Sequence, residues 1–207
     1  QVYKEVCSAC HSMNLMAYRN LTELGLTEAQ VKGIAAEIQV PDINDDGQPI
    51  ERPARPSDHF KKPFPNMLAA AAANGGKAPP DLSVIIKARA DGANYVHALL
   101  TGYVPFDKLT AEQKKESGVT KDDNYNLYFP GHRIAMAPPL ADDKVQYADG
   151  TKATLDQEAS DVVEFLAWAS EPHMESRKKT GVRVILFLLV LAGFMYAVKR
   201  QVWADKH

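Results

Sequence analysis

QVYKEVCSACHSMNLMAYR, residues 1–19, holds the segment that decides the reading of this chain: Cys7-Ser8-Ala9-Cys10-His11. The pattern is C-x-x-C-H, the attachment signature of a c-type haem. On a helical turn the two thiols both reach one porphyrin edge, and the next residue's imidazole lies under the iron. Two other readings compete. A zinc site needs four ligands, and the chain has only two cysteines. A thioredoxin-like redox pair needs a βαβ context, and the sequence around this motif has none. The same two residues leave no room for a disulfide framework.

A haem with His11 on one face has a second axial position, and its occupant separates an electron carrier from a catalyst. The methionine candidates are Met13, Met16, Met67, Met136 and Met174; the histidines are His59, His97, His132 and His173. Met13 and Met16 follow His11 too closely to cross to the other face. Met174 sits next to the C-terminal apolar segment, and Met67, at a helix start, reads as core. Met136 lies in Ile134-Ala135-Met136-Ala137-Pro138-Pro139-Leu140, where small residues and two prolines hold an extended strap that can approach a porphyrin closely. Met136 is therefore the expected second ligand, with His132 as its competitor. A neutral thioether favours Fe(II), so the potential is expected to be fairly high.

At the other end, Val184–Val198 reads VILFLLVLAGFMYAV, fifteen uncharged residues. A helix of that length covers about 22 Å, short of the ~30 Å hydrocarbon core, and snorkelling Arg183 and Lys199 make up the difference. A core helix would carry a polar face, and this one is apolar all round. Basic groups and Trp203 bracket it, as at a membrane interface. The organisation expected is a haem domain at 1–176, a basic juxtamembrane segment at 177–183, a transmembrane anchor at 184–198 and a short basic tail at 199–207. Both flanks are basic, so charge counting does not orient the anchor. Covalent haem attachment occurs on the outer side of an energy-transducing membrane and places 1–176 there.

The intervening sequence reads as mainly α with long loops. Thr27-x-x-Gln30 is a capping box opening a helix to about Val40, where Pro41 stops it. Residues 41–65, dense in Pro, Asp and Gly, read as loop. Helices are expected at Asn66–Ala73, Leu82–Ala90 and Ala93–Gly102, and a second capping box, Thr154-x-x-Gln157, opens a helix with Leu155, Ala159, Val162, Val163 and Leu166 at helical spacing. Residues 104–135 are mixed, with a charged run at Lys114-Lys115-Glu116. Asp42-Ile43-Asn44-Asp45-Asp46-Gly47 matches the first half of a calcium loop, but Pro53 stands where the final Glu belongs, so an acidic surface turn is the better reading. The chain begins six residues before Cys7, and a stretch upstream of it is expected.

The formal net charge of −2 gives no hint of a nucleic-acid partner. It conceals a split: residues 1–176 carry 17 basic and 25 acidic groups, and residues 177–207 carry seven basic groups and one acid. The first part stands at −8 and the second at +6. Acidic pairs at Asp45-Asp46, Asp122-Asp123 and Asp142-Asp143 are read as parts of a field that steers a basic partner.

These motifs together resemble the cytochrome c1 family of the ubiquinol–cytochrome c reductase (cytochrome bc1) complex. The resemblance runs through nearly the whole chain. Its carriers are residues 1–19, ANGGKAPPDLS at 73–83, RADGANYVHALLTGY at 89–103, NLYFPGHRIAMAPPL at 126–140, and the helix and anchor from 153 onward. The family has a further stretch before Gln1. The resemblance implies one covalently attached haem c, with Cys7 and Cys10 as attachment points and His11 and Met136 as iron ligands. It also implies Arg89 near a haem propionate, Tyr95 near the haem, and Asn74, Pro79 and Pro80 lining the pocket. The implied fold is a c-type cytochrome domain with long loop insertions plus one C-terminal transmembrane helix.

The function so implied is electron transfer from a Rieske iron–sulfur protein through the haem to a cytochrome c, in a proton-translocating quinol-oxidising enzyme, with no substrate chemistry on this chain alone. The anchor would pack in lipid beside cytochrome b, in a dimeric complex. The haem domain would face the periplasm of a bacterium, or the intermembrane space in the mitochondrial equivalent. Two alternatives stand beside this: a membrane-anchored cytochrome c shuttle to a terminal oxidase, and a haem peroxidase with an open distal site.

Overall fold

A computed structural model describes residues 1–204, in two units: Gln1–Ser170 and the segment from Glu171 onward. Asp205, Lys206 and His207, the end of the expected basic tail, lie outside the described residues.

The first unit is a set of short helices joined by long ordered loops. Helix α1 (Val2–Glu5) runs into a 3-10 turn at Cys7–Ala9, and a longer 3-10 segment spans Tyr18–Leu24. Helix α2 (Glu28–Ala36) starts at the predicted capping box: Thr27 Oγ1 accepts from the Gln30 amide at 3.3 Å, and the Thr27 amide donates to Gln30 Oε1 at 2.9 Å. Helix α3 (Met67–Ala73) is capped by Asn66, and α4 spans Gly92–Thr101. Helix α6 (Leu155–Ala169) buries Ala159, Val162, Val163, Leu166 and Ala169, and it packs on α4. The predicted mainly α, loop-rich architecture is thus observed.

Four local expectations are corrected. The stretch 41–65 is not all loop: β1 (Gln39–Ile43) and β2 (Pro49–Pro53) form an antiparallel hairpin. Its prolines are tolerated because a two-stranded ribbon has only edge strands, where a missing N–H can face outward. Residues 82–90 form successive turns rather than a helix. Their spacing is helical, but the Ser83 amide is taken by Asp81 Oδ1 at 2.9 Å, and Ala88 N lies within reach of both the Val84 and Ile85 carbonyls. Met67 is 68% exposed, not core. Within the mixed region 104–135, an unpredicted helix α5 (Ala111–Ser117) opens on Thr110-x-x-Gln113 and ends at Gly118, whose φ of +63° suits glycine. The acidic turn at 42–47 is the tip of the hairpin; Asn44 Oδ1 accepts from the amides of Asp46 and Gln48, and no metal-binding cluster occurs among the described residues.

Three small strands complete the unit. β3 (Tyr103–Val104), β4 (Asn124–Asn126) and β5 (Arg133–Ile134) form an antiparallel sheet in that order. The main core gathers Val2, Tyr3, Met13, Met16, Leu82, Ile85, Val96, Leu100, Leu140, Val162 and Leu166, so it unites α1, the loop after His11, α4 and α6.

In the second unit α7 runs unbroken through Met174–Trp203, 30 residues with a mean hydropathy of 2.3 in its apolar window and none of that window buried. At 1.5 Å per residue it is about 45 Å long, more than the hydrocarbon core requires.

Candidate haem site

Cys7 and Cys10 occupy one tight turn, in which the amides of Cys10 and His11 both donate to the Cys7 carbonyl, at 3.1 and 2.9 Å. Both thiols are unbridged. Burial and the neighbouring Cys10 push the Cys7 thiol up to about 11.

His11 is oriented by the loop that carries Pro79 and Pro80. Its Nδ1 lies 2.8 Å from the Pro80 carbonyl. A carbonyl only accepts, so the proton sits on Nδ1 and the lone pair is on Nε2, the tautomer an iron needs. Burial lowers the His11 pKa, which keeps the ring neutral and able to ligate.

A clamp that the sequence reading missed holds these two loops together. Asp81 Oδ2 accepts from Ser12 Oγ at 2.8 Å and from the Asn14 amide at 2.7 Å, while Ser83 Oγ accepts from the Leu15 amide at 3.0 Å. Burial works to raise the Asp81 pKa, but hydrogen bonds from Ser83, Asn14 and Ser12 outweigh it and hold the carboxyl below its ordinary value. A pH dependence follows. A depressed carboxylate contributes stability above its unfolded value of 3.8 and loses it as pH falls through the lower folded value. Asp58, held down to about 2 by Arg52, adds to the same acid limb. Stability of the haem domain is expected to be flat from pH 7 to roughly 5 and to fall steeply below about 4. Asp81→Asn should lower the neutral-pH denaturation midpoint and shallow the acid limb, in urea titrations between pH 3 and 7.

Met136 is half-buried and packs on the main core, as Cys7 and Tyr95 do. Its strap is aimed by the three-stranded sheet and by a fully buried Asn126. Asn126 Nδ2 donates to the Leu99 carbonyl at 2.7 Å, and its Oδ1 accepts from the amides of Tyr128 and Phe129 at 3.0 and 3.2 Å. The Asn126 amide donates to the His132 carbonyl, and His132 Nδ1 lies 3.1 Å from the Asn126 carbonyl. Beneath this loop Gly102 has no alternative: a Cβ there would lie 2.5 Å from Tyr128 Cδ2 and 2.6 Å from the Ala98 carbonyl. The LLTGY and YFPG segments are therefore two sides of one contact. Neither Gly102 nor Asn126 was singled out from sequence. An Asn followed four residues later by Pro130-Gly131 was the available signal for the turn.

The other candidates fall elsewhere. Met13 and Met16 are buried core. His132, at φ +61°, stacks on Tyr125 with its Nδ1 turned to its own loop. His97 Nε2 lies 3.2 Å from Asp156 Oδ1 and 3.3 Å from Ser160 Oγ, between α4 and α6. His59 is exposed, and Met174 and His173 belong to the second unit. Asn74 is half-buried and its Nδ2 donates to the Ala70 carbonyl at the end of α3. Arg89 is exposed, with Nη1 donating to the Ala88 carbonyl. A separate apolar cavity of about 650 Å³, lined by Val2, Tyr18, Leu21, Ile34, Phe60 and Phe165 among others, contains none of the expected haem residues. Of the acidic pairs, Asp123 is engaged by Arg133 and Thr120 and Asp142 accepts from the Leu155 amide, so part of that charge serves the fold.

The donor set fits a haem: two thiols on one turn, a neutral imidazole with its proton turned away, and a thioether on a separate strap over the same core. The sequence model of the Cytochrome C1 family matches residues 1–206. A cytochrome c1 of Rhodospirillum rubrum is 49% identical over all of this chain and 80% of its own length. A cytochrome b/c1 of Bradyrhizobium diazoefficiens is 46% identical over all of this chain and 32% of its own. The mitochondrial cytochrome c1 haem protein of Schizosaccharomyces pombe is 46% identical over 98% of this chain and 64% of its own. With a family match across the chain and that level of identity, the chain belongs to the cytochrome c1 family, the electron-transfer haem subunits of bc1 complexes.

Proposed function

We propose that this chain relays single electrons from a Rieske iron–sulfur protein to a cytochrome c, as a subunit of a quinol–cytochrome c reductase. Its cofactor is one haem c, held covalently by Cys7 and Cys10, with His11 and Met136 as the axial pair. When bound, that haem supplies a one-electron iron couple. The protein's part is to hold, orient and bury it. The Pro80 carbonyl fixes the His11 tautomer, the Asp81 clamp keeps the proximal loop closed, and the strap at 134–140 presents the thioether. Asn74, Pro79, Pro80 and Tyr95 line the pocket, and Arg89 serves a propionate at its mouth. The observation that carries the reading is the Nδ1 contact between His11 and Pro80, which sets up a neutral ligand directly after two unbridged thiols.

The exposed acidic groups of the −8 domain, Asp45, Asp46, Asp122 and Asp143 among them, favour a basic electron acceptor. α7 anchors the chain in lipid, with the haem domain on the periplasmic or intermembrane face and the basic tail inside. The relative from Bradyrhizobium carries cytochrome b in its name, which supports cytochrome b as the neighbour of that helix, in a dimeric complex. Gentle solubilisation of membranes is expected to yield this chain together with a b-type cytochrome and a Rieske protein. Recovery as a lone haem protein would instead favour the anchored shuttle.

A further inference from the structure

Tyr103 lies on β3 and Met136 follows β5, two strands away in the same sheet. The Tyr103 hydroxyl donates to the Met136 carbonyl at 3.0 Å. The strap around Met136 has few other means of support. Ile134 is buried before it and Leu140 is buried after it, at 7% and 6% exposure. Between them Ala135 and Ala137 offer no anchoring side chain, and Pro138 and Pro139 have no N–H to donate. Among the described residues no backbone–backbone hydrogen bond outside the strands involves 135–140. Beyond the Met136 side chain itself, which packs on the main core, the tyrosine bond is thus the mid-span tie of a segment otherwise anchored at its ends.

We propose that Tyr103 is a positioning residue for the distal ligand: its hydroxyl holds the Met136 backbone so that the thioether stays at the iron. The proposal rests on Met136 being that ligand. Tyr103 suits the task. It is half-buried, and its hydroxyl donates to a carbonyl that has no other hydrogen-bond partner among the described residues. Pairing with Asn126 ties its backbone to the buried asparagine that shapes the preceding loop. A strap held in this way stays closed against small ligands. Without the tie the thioether detaches more often and exposes the iron.

The test uses the full haem-loaded chain in detergent and carbon monoxide as the probe. Tyr103→Phe removes one hydroxyl from an unchanged ring. It should keep the weak red-edge band of Fe(III)–thioether ligation, yet raise carbon monoxide binding to the reduced protein about fivefold, the yield of one lost hydrogen bond. Val104→Ala on the same strand should leave carbon monoxide binding unchanged. Met136→Leu should abolish the band and bind carbon monoxide freely. If Met136→Leu behaves so but Tyr103→Phe binds carbon monoxide no better than the parent, the positioning role is refuted while the ligand assignment stands. Equal increases in Tyr103→Phe and Val104→Ala also refute it, because the effect then belongs to the strand. If Met136→Leu retains the band, the ligand assignment fails and the proposal with it.

Discussion

Met136→Leu is expected to abolish the red-edge band and to lower the midpoint potential by an amount on the order of 0.2 V, within the ~0.8 V range that axial ligation spans. Leucine matches methionine in volume and apolar character, so the half-buried site and its contact with the main core should survive. What disappears is the sulfur. A thioether is a soft, neutral donor that stabilises Fe(II) over Fe(III), and its loss leaves the position to water or to a weaker donor, both of which favour Fe(III). The direction is therefore fixed by ligand chemistry and the size by what replaces the sulfur. His132 is the competitor, and its geometry makes the experiment decisive. Its ring is stacked on Tyr125 with Nδ1 toward the Asn126 carbonyl. If His132 were the ligand, His132→Asn would remove the native spectrum and Met136→Leu would spare it. Potentiometric titration of the two variants, read at the haem band, separates the readings.

How much of this was legible beforehand varies with the physical reach of each signal. C-x-x-C-H and the uncharged run at 184–198 are local patterns whose chemistry needs no partner, and both read directly. Capping boxes are local too, and Thr27 and Thr154 both accept from the amide three residues on. The identical signature at Thr110 is followed by Lys114-Lys115-Glu116, a run with no apolar face to mark the helix. The hairpin at 39–53 was hidden by its prolines, which an edge strand accepts. The turns at 82–90 have helical spacing, and only the distant demand of Asp81 for Ser12 and Asn14 shows why they do not close into a helix. Asp81, Gly102, Tyr103 and Asn126 act through contacts with residues 23 to 69 positions away in sequence, from the Tyr103–Asn126 strand pair to Asp81 and Ser12. No periodicity reports such pairs.

Asn126→Ala should be the most destabilising single change near the site, about 3–5 kcal/mol. The side chain is completely buried and makes three hydrogen bonds, one donated and two accepted. Truncation takes the partner from the Leu99 carbonyl and from the amides of Tyr128 and Phe129, each at a cost of up to about 1–3 kcal/mol to the extent that water does not replace it. The amides of Tyr128 and Phe129 share one loop and relax together, so the costs do not add fully. Aspartate is no remedy, since it keeps the acceptor, loses the donor to Leu99 and brings a charge into the core. The damage should also travel. Asn126 pairs with Tyr103 on one side, and its neighbours Asn124 and Tyr125 pair with Ile134 and Arg133 on the other. Loosening that strand frees both the strap and the tyrosine that ties it. In urea unfolding the midpoint should fall with the slope unchanged. The red-edge band should weaken at neutral pH, where Tyr103→Phe leaves it in place. A midpoint shift worth less than about 1 kcal/mol would mean that the loop is held by Tyr128 against Gly102 and by the strands, with the asparagine bonds marginal.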